Sequence, residues 1–296
     1  MIIVLRWLYR RLTARRAAQP QASPMVERPH QPSTPARAHG GPLALVLHQA
    51  RYELLGFLRN SQARFFTLLL PLLFLVIFVT MFGNNTVGAQ HVREATYFVP
   101  GIAAMGVISA SFTNLVLSLI AERESGVLKR RRATPVPAWV LIAGRTLTAM
   151  AVSLAVMSLL LLVGRVAYGV DLPTASLPAV AITGLAGAAT FSILDYALAS
   201  VIGSADAAQP IVQAITLPLY FISGVFVPNA NMPSWLQSIG QAFPVERLAD
   251  GLHTALNPAM QGTTIAWGDL GVLAVWAAVG LVVAVRRFSW VPAGKA

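Results

Sequence analysis

The feature that most constrains this chain is a succession of long stretches without one charged side chain. Phe65–Phe82, Ala95–Ala121, Thr146–Gly164, Leu172–Leu194, Ala207–Val245 and Leu270–Val285 contain no Asp, Glu, Lys or Arg. At 1.5 Å rise per residue, about 20 apolar residues in a helix cross the hydrocarbon core of a bilayer. Backbone in lipid must satisfy its own hydrogen bonds, which a helix does. The pattern predicts an all-α polytopic membrane protein with six transmembrane helices. Their expected positions are about 65–82, 97–121, 140–164, 175–202, 208–227 and 268–286. Ala207–Val245 is longer than one crossing requires, and prolines and glycines interrupt its second half. A straight helix does not tolerate them, so short re-entrant helices are expected over 229–258, after the fifth span.

Composition agrees. Charged residues make up 11% of the chain, against about 25% in soluble domains. The absence of cysteine excludes disulfides, thiolate metal sites and cysteine nucleophiles. Residues 1–42 read as a basic Pro/Ala-rich tail, with Pro20, Pro24, Pro29, Pro32, Pro35 and Pro42 spread through it. Such a segment builds no core and is expected to be disordered. Met1–Leu12 is apolar and basic but lacks the apolar core and small-residue site of a cleaved signal peptide. Over 43–63, Leu43, Val46, Leu47, Ala50, Leu54, Phe57 and Leu58 recur at three- and four-residue steps. That period predicts an amphipathic helix lying along the membrane before the first span.

The net charge of +11 is mostly a topology signal. Nineteen of the 22 Lys and Arg residues fall in the N-terminal segment, the loop between the second and third spans with its edge, and the C-terminal tail 288–296 with its edge. The opposite side holds Arg93, Arg165 and Arg247. Positive residues stay in the cytoplasm, so both termini are expected there, in a multi-pass protein of the cell (inner or plasma) membrane. A nucleic-acid partner becomes unnecessary, while contact with membrane lipid stays open.

The loop after the second span, residues 121–145, carries Glu122, Arg123, Glu124, Gly126, a basic run from Lys129 to Arg132, and Pro135 and Pro137. By charge alone it is either a docking element for another protein or a turn obeying the positive-inside rule. Its order of residues resembles the ABC type-two permease family, the membrane subunits of ATP-binding-cassette exporters. The matching residues are Glu122-Arg123-Glu124, Gly126, Val127-Leu128, Lys129 to Arg132 and Thr134-Pro135. A second stretch, 221–253, is similar to the family's segment after the fifth span, through Ser223-Gly224, Phe226, Pro228, Pro233, Trp235-Leu236, Phe243-Pro244, Asp250 and Gly251-Leu252. The resemblance covers about 43–287.

The resemblance implies a permease subunit forming the path for a hydrophobic or amphiphilic substrate, a drug or a lipid. It implies two partners: an ABC ATPase subunit, and a second permease as homodimer or related chain. Glu122, Arg123, Glu124, Gly126, Lys129, Arg130, Arg131 and Pro135 would couple the permease to the ATPase. Phe221, Phe226, Trp235 and Phe243 would line a path or gate on the outer side. ATP and Mg would sit on the partner, since this chain has no G-x-x-x-x-G-K-[ST] motif. No cofactor, metal site or catalytic residue is expected in the chain itself. Export of a polysaccharide or other polar polymer is the alternative on the same fold, and an ATP-independent carrier is a further one.

Asp195 departs from the family pattern, which has small residues there. A charge near the bilayer centre costs roughly 2.5–3.5 kcal/mol, so Asp195 should face the bundle, a cavity or a partner. It is a candidate for binding a cationic substrate, beside a plainer role in helix–helix contact. Gly184, Gly187, Ala188, Ala189 and Ser192 in the same span predict close helix approach, chiefly within the chain.

Overall fold

The computed structural model describes residues 41–82, 86–87, 92–128, 137–228, 232–256 and 265–287. The tail predicted over 1–42, apart from its last two residues, and the tail 288–296 lie outside them, as do Lys129, Arg130, Arg131 and Pro135. The described residues are mainly helical, with connecting turns and one antiparallel pair of two-residue strands.

Helix α1 (Pro42–Arg59) opens on proline, whose missing N–H is no loss in the first turn. It ends at Asn60, which is extended, and the Asn60 side chain accepts a hydrogen bond from Ala63 N at 3.1 Å. One residue therefore stops α1 and caps α2 (Ser61–Phe82). Strands β1 (Thr86–Val87) and β2 (Val92–Arg93) connect α2 to α3 (Ala95–Glu124). Helix α4 (Ala138–Tyr168) closes on Gly169 at φ 65°, a left-handed cap suited to glycine. Then come α5 (Leu177–Ala199), α6 (Ala205–Ile222), the short α7 (Ser234–Gly240), α8 (Pro244–Leu256) and α9 (Trp267–Arg287).

Five of these, α2, α3, α4, α5 and α9, are long and apolar enough to cross a membrane. Helix α6 falls where the fifth of six spans is expected and is 18 residues long. It is not one of the five, because Asp206, Gln209, Gln213, Pro210 and Pro218 dilute its apolar character. Helix α3 is the central element, packed on α2, α4, α5, α6 and α8, and Val99, Ile102, Val107, Ile108, Val116 and Ile120 along it are fully buried. Helices α2 and α9 bury least and expose Leu73, Ile77, Val275, Leu281 and Val285.

The small residues of α5 do what their size allows. A Cβ on Gly184 would meet the Met157 side chain of α4 at 2.8 Å, and one on Gly187 would meet Leu248 of α8 at 2.5 Å. Helix α1 packs on the first half of α4: Thr148 Oγ1 donates to Ala50 O at 2.9 Å, and Gly144 leaves room for Gln49. Leu43, Leu47, Tyr52, Leu55 and Leu58 remain exposed on α1.

Candidate functional site: a clamp at one end of the bundle and an aromatic knot at the other

Glu122, Arg123 and Glu124 occupy successive positions at the end of α3. Successive helical side chains diverge by about 100°, so the three must point in different directions. Each closes a different joint. Glu122 accepts a hydrogen bond from Arg145 Nη2 near the start of α4. Arg145 Nε lies 3.5 Å from Glu53 of α1, and Gln49 Nε2 donates to the same Glu53 oxygen at 2.7 Å. The Arg145 side chain is 4% exposed, so its charge is shared between two carboxylates largely out of water.

Arg123 is buried and turns the other way. It donates to Ala199 O at 2.9 Å and to Ile202 O. The last carbonyls of a helix have no partner within it and favour a positive charge, so the guanidinium serves as a cap for α5. Glu124 Oε1 accepts from Ala205 N at 2.7 Å, filling the complementary need at the start of α6, where backbone N–H groups are free and a negative charge is favoured. One triplet thus ties α3 to α4, α5 and α6, and through Arg145 to α1. Gly126 follows at φ 71°; its N–H bonds to Arg123 O at 3.3 Å, turning the chain out of the helix.

The second cluster lies at the opposite end of α3. Phe226 is 3% exposed. Its ring centroid lies 5.1 Å from Phe74 and from Phe78 of α2, 5.9 Å from Tyr220 and 5.3 Å from Phe221. The 223–227 turn is held against α3 by Tyr97 Oη, which donates to Gly224 O at 2.8 Å. Beside it, a Cβ on Gly101 would come within 2.7 Å of Val225 O.

The structure therefore brings Phe221 and Phe226 together. Phe243 pairs elsewhere, stacked on Trp276 of α9 at 6.1 Å, while Trp276 Nε1 donates to Ala242 O at 2.8 Å. Trp235 is exposed on α7. Arg247 of α8 forms an ion pair with Asp269 of α9 at 3.0 Å. Asp195 belongs to neither aromatic group. Helix α5 ends at Ala199, so Asp195 lies about 6 Å inside its end, closer to the clamp than the longer predicted span implies. Its side chain is fully buried, no side chain hydrogen-bonds its carboxylate, and the backbone of Tyr196 and the charge of Arg145 act on it.

Two cavities flank the clamp. One of about 220 Å³ is lined by Glu53, Asn60, Asn114, Ser118, Glu122 and Arg145, among others. The other, of about 280 Å³, runs along Asn60, Thr67, Ser109, Thr113, Asn114 and Gln209. Asp195 lines neither. Sequence reasoning counted Arg145 as a topology charge and passed over Glu53. The signal was present in both: Arg145 lies inside the first turns of an apolar run, and Glu53 sits among apolar residues of α1.

The bundle of long apolar helices, organised around a central α3 with charged joints at one end, defines an integral membrane protein. Residues 45–256 match the family model described as ABC-2 type transporter, and the chain belongs to that family. It is 30% identical over 220 residues to the daunorubicin resistance ABC transporter permease protein DrrB1 of Streptomyces coeruleorubidus, covering 72% of this chain and 73% of that one. It is 24% identical to the putative transport permease YvfS of Bacillus subtilis, over 69% of this chain and 82% of the relative. The inner membrane transport permease YadH of Escherichia coli K12 is 24% identical over 63% and 74% of the two chains.

Proposed function

We propose that this chain is the permease subunit of an ATP-binding-cassette exporter for a hydrophobic or amphiphilic substrate, a drug or a lipid. A separate ATPase subunit holds ATP and Mg, and the chain itself performs no catalysis. Two permeases pair, as a homodimer or with a related chain. The protein crosses the cell membrane six times with both termini in the cytoplasm; α6 is the additional crossing, and the segment after it re-enters the outer leaflet. The likeness to a daunorubicin resistance permease supports an amphiphilic substrate over a polar polymer.

The observation that carries this reading is the clamp. A transport subunit driven from outside needs its helices joined where the force arrives. Arg145 holds Glu53 and Glu122, while Arg123 and Glu124 hold the ends of α5 and α6. An ATPase docking on α1 and on the 126–137 loop moves four helix ends together. In this mechanism Glu122, Arg123 and Glu124 transmit motion as positioning residues, Gly126 sets the loop's exit, and Lys129, Arg130, Arg131 and Pro135 meet the ATPase. On the outer side Phe221 and Phe226, then Trp235 and Phe243, close the path. Nucleotide-driven closure biases the permease between inward- and outward-facing states through unequal contacts in the two.

The test is to purify the permease–ATPase complex carrying Glu122→Ala and Glu124→Ala. The expected outcome is retained assembly with substrate-stimulated ATP hydrolysis reduced at least about fivefold, roughly the loss of 1 kcal/mol of coupling. Retained assembly with unchanged stimulation overturns the proposal.

A further inference from the structure

Helix α1 carries three kinds of surface. Successive residues of a helix advance about 100°, which sorts its side chains into sectors. Ala50, Glu53 and Phe57 turn to the bundle: Ala50 is buried, its carbonyl accepts from Thr148, and Glu53 meets Arg145. Next round the helix, Leu43, Leu47 and Leu58 form an apolar strip, 70%, 52% and 48% exposed. Arg51, His48 and Arg59 follow, all exposed. Tyr52 and Gly56 lie beyond them, on the side away from the strip.

The charges are sorted as well. Glu53 is the one acid of α1, and it is turned inward, where Arg145 and Gln49 hold it. The exposed sectors are therefore apolar and cationic, with no negative charge. The boundary of a lipid leaflet accepts such a surface, with the strip among acyl chains and the cations at the level of the phosphates. The position of α1 agrees. It ends at Asn60, where α2 begins, and Phe65 and Phe66 of α2 are 44% and 36% exposed. The outward side of an apolar crossing helix thus begins about two turns after Leu58. Arg64, also exposed, stands at the junction. The sequence ahead of α1 adds seven arginines against one glutamate.

We propose that α1 is a seat for anionic phospholipid, with its apolar strip among the acyl chains and Arg51 and Arg59 on the headgroup phosphates. A guanidinium fork matches phosphate oxygens. In phosphatidylcholine the choline cation offsets the phosphate, so a lipid of net negative charge is preferred, about fivefold for each arginine at the surface. The proposal needs the chain to be in a membrane and does not need the exporter reading. The ATPase of that reading keeps the side of α1 that carries Tyr52 and Gly56. Glu53 lies on the same helix as the strip, so a lipid seated there also steadies Glu53 against Arg145.

The chain contains no cysteine, so Ala44→Cys, exposed beside the strip and the cations, takes a single bimane label. The labelled full chain is placed in phosphatidylcholine nanodiscs that hold a small fixed share of lipid brominated on its acyl chains, either phosphatidylglycerol or phosphatidylcholine. Bromine quenches bimane at contact, so the quenching reads which lipid gathers at α1. Brominated phosphatidylglycerol should quench at least about threefold more than brominated phosphatidylcholine, and the excess should shrink in high salt. Arg51→Gln with Arg59→Gln should cut the excess at least about twofold, while the melting midpoint in phosphatidylcholine alone stays unchanged. Leu47→Ser with Leu58→Ser should lower quenching by both lipids. Equal quenching by the two lipids in the parent overturns the proposal. So does an excess that survives the double arginine variant, since the lipid would then be gathered by other cations of the chain. Absence of quenching by either lipid overturns it too, and assigns the strip to a protein surface.

Discussion

Removing the Arg145 charge is the sharpest perturbation of the clamp. Arg145→Met keeps an unbranched apolar stem and deletes the guanidinium. Glu122 and Glu53, whose side chains are 21% and 16% exposed, then lose their shared cation, and Asp195 loses the positive charge acting on it. Breaking a buried pair from one side costs about 3–5 kcal/mol, because the remaining charge stays desolvated. Glu122→Gln alone should cost less, since Arg145 keeps Glu53 at 3.5 Å. The double variant should recover part of the loss, with a coupling of about 0.5–3 kcal/mol between the two positions. Thermal unfolding in detergent, followed by intrinsic fluorescence, measures all three against the parent. Strict additivity of Arg145→Met and Glu122→Gln would refute the clamp as drawn. So would an Arg145→Met variant as stable as the parent.

Three further outcomes follow from the same geometry. Gly101→Ala drives a Cβ to 2.7 Å from Val225 O; because the obstacle is backbone, the variant should lose about 1–3 kcal/mol, whereas Gly56→Ala, with nothing within 4 Å, should gain up to about 1 kcal/mol in the same melt. Glu124→Ala removes the acceptor at the start of α6 and should lower stability by about 0.5–2 kcal/mol, with hydrogen exchange at Ala205–Ala207 rising first. Asp195→Asn keeps the shape and removes a buried carboxylate that no side chain hydrogen-bonds, so the melting midpoint should hold or rise; a fall of several degrees would show that the Arg145 charge and the Tyr196 backbone outweigh the cost of burying it.

The apolar runs made the long helices legible, because burial in lipid writes directly into composition. Helix α6 was less legible: two prolines, two glutamines and Asp206 lower its apolar content while leaving it helical. The π-helical turns within α2 (Phe65–Leu69) and α3 (Ser109–Thr113) left no mark in the sequence, since α2 and α3 are apolar on nearly every side and shift register without disturbing a pattern. The charged triplet was easy to find but not to interpret. Read as local charge, Glu122 to Glu124 suggested an outward surface. Their partners lie 23, 76 and 81 residues away, and no periodicity carries that information. Asp195 stood out as a buried charge for the same reason that it remained ambiguous: one polar residue in an apolar run shows that it needs shelter, not which neighbour provides it.

The joint made by Arg123 has a consequence for how this protein can vary. Its partners on α5 and just beyond are the backbone oxygens of Ala199 and Ile202, which every amino acid supplies. Both residues are buried, so substitutions at 199 and 202 that fit the surrounding core leave the bond intact, and those positions are free to vary with the packing around them. The dependence is one-sided: change is tolerated at the accepting end and concentrated in consequence on a single arginine.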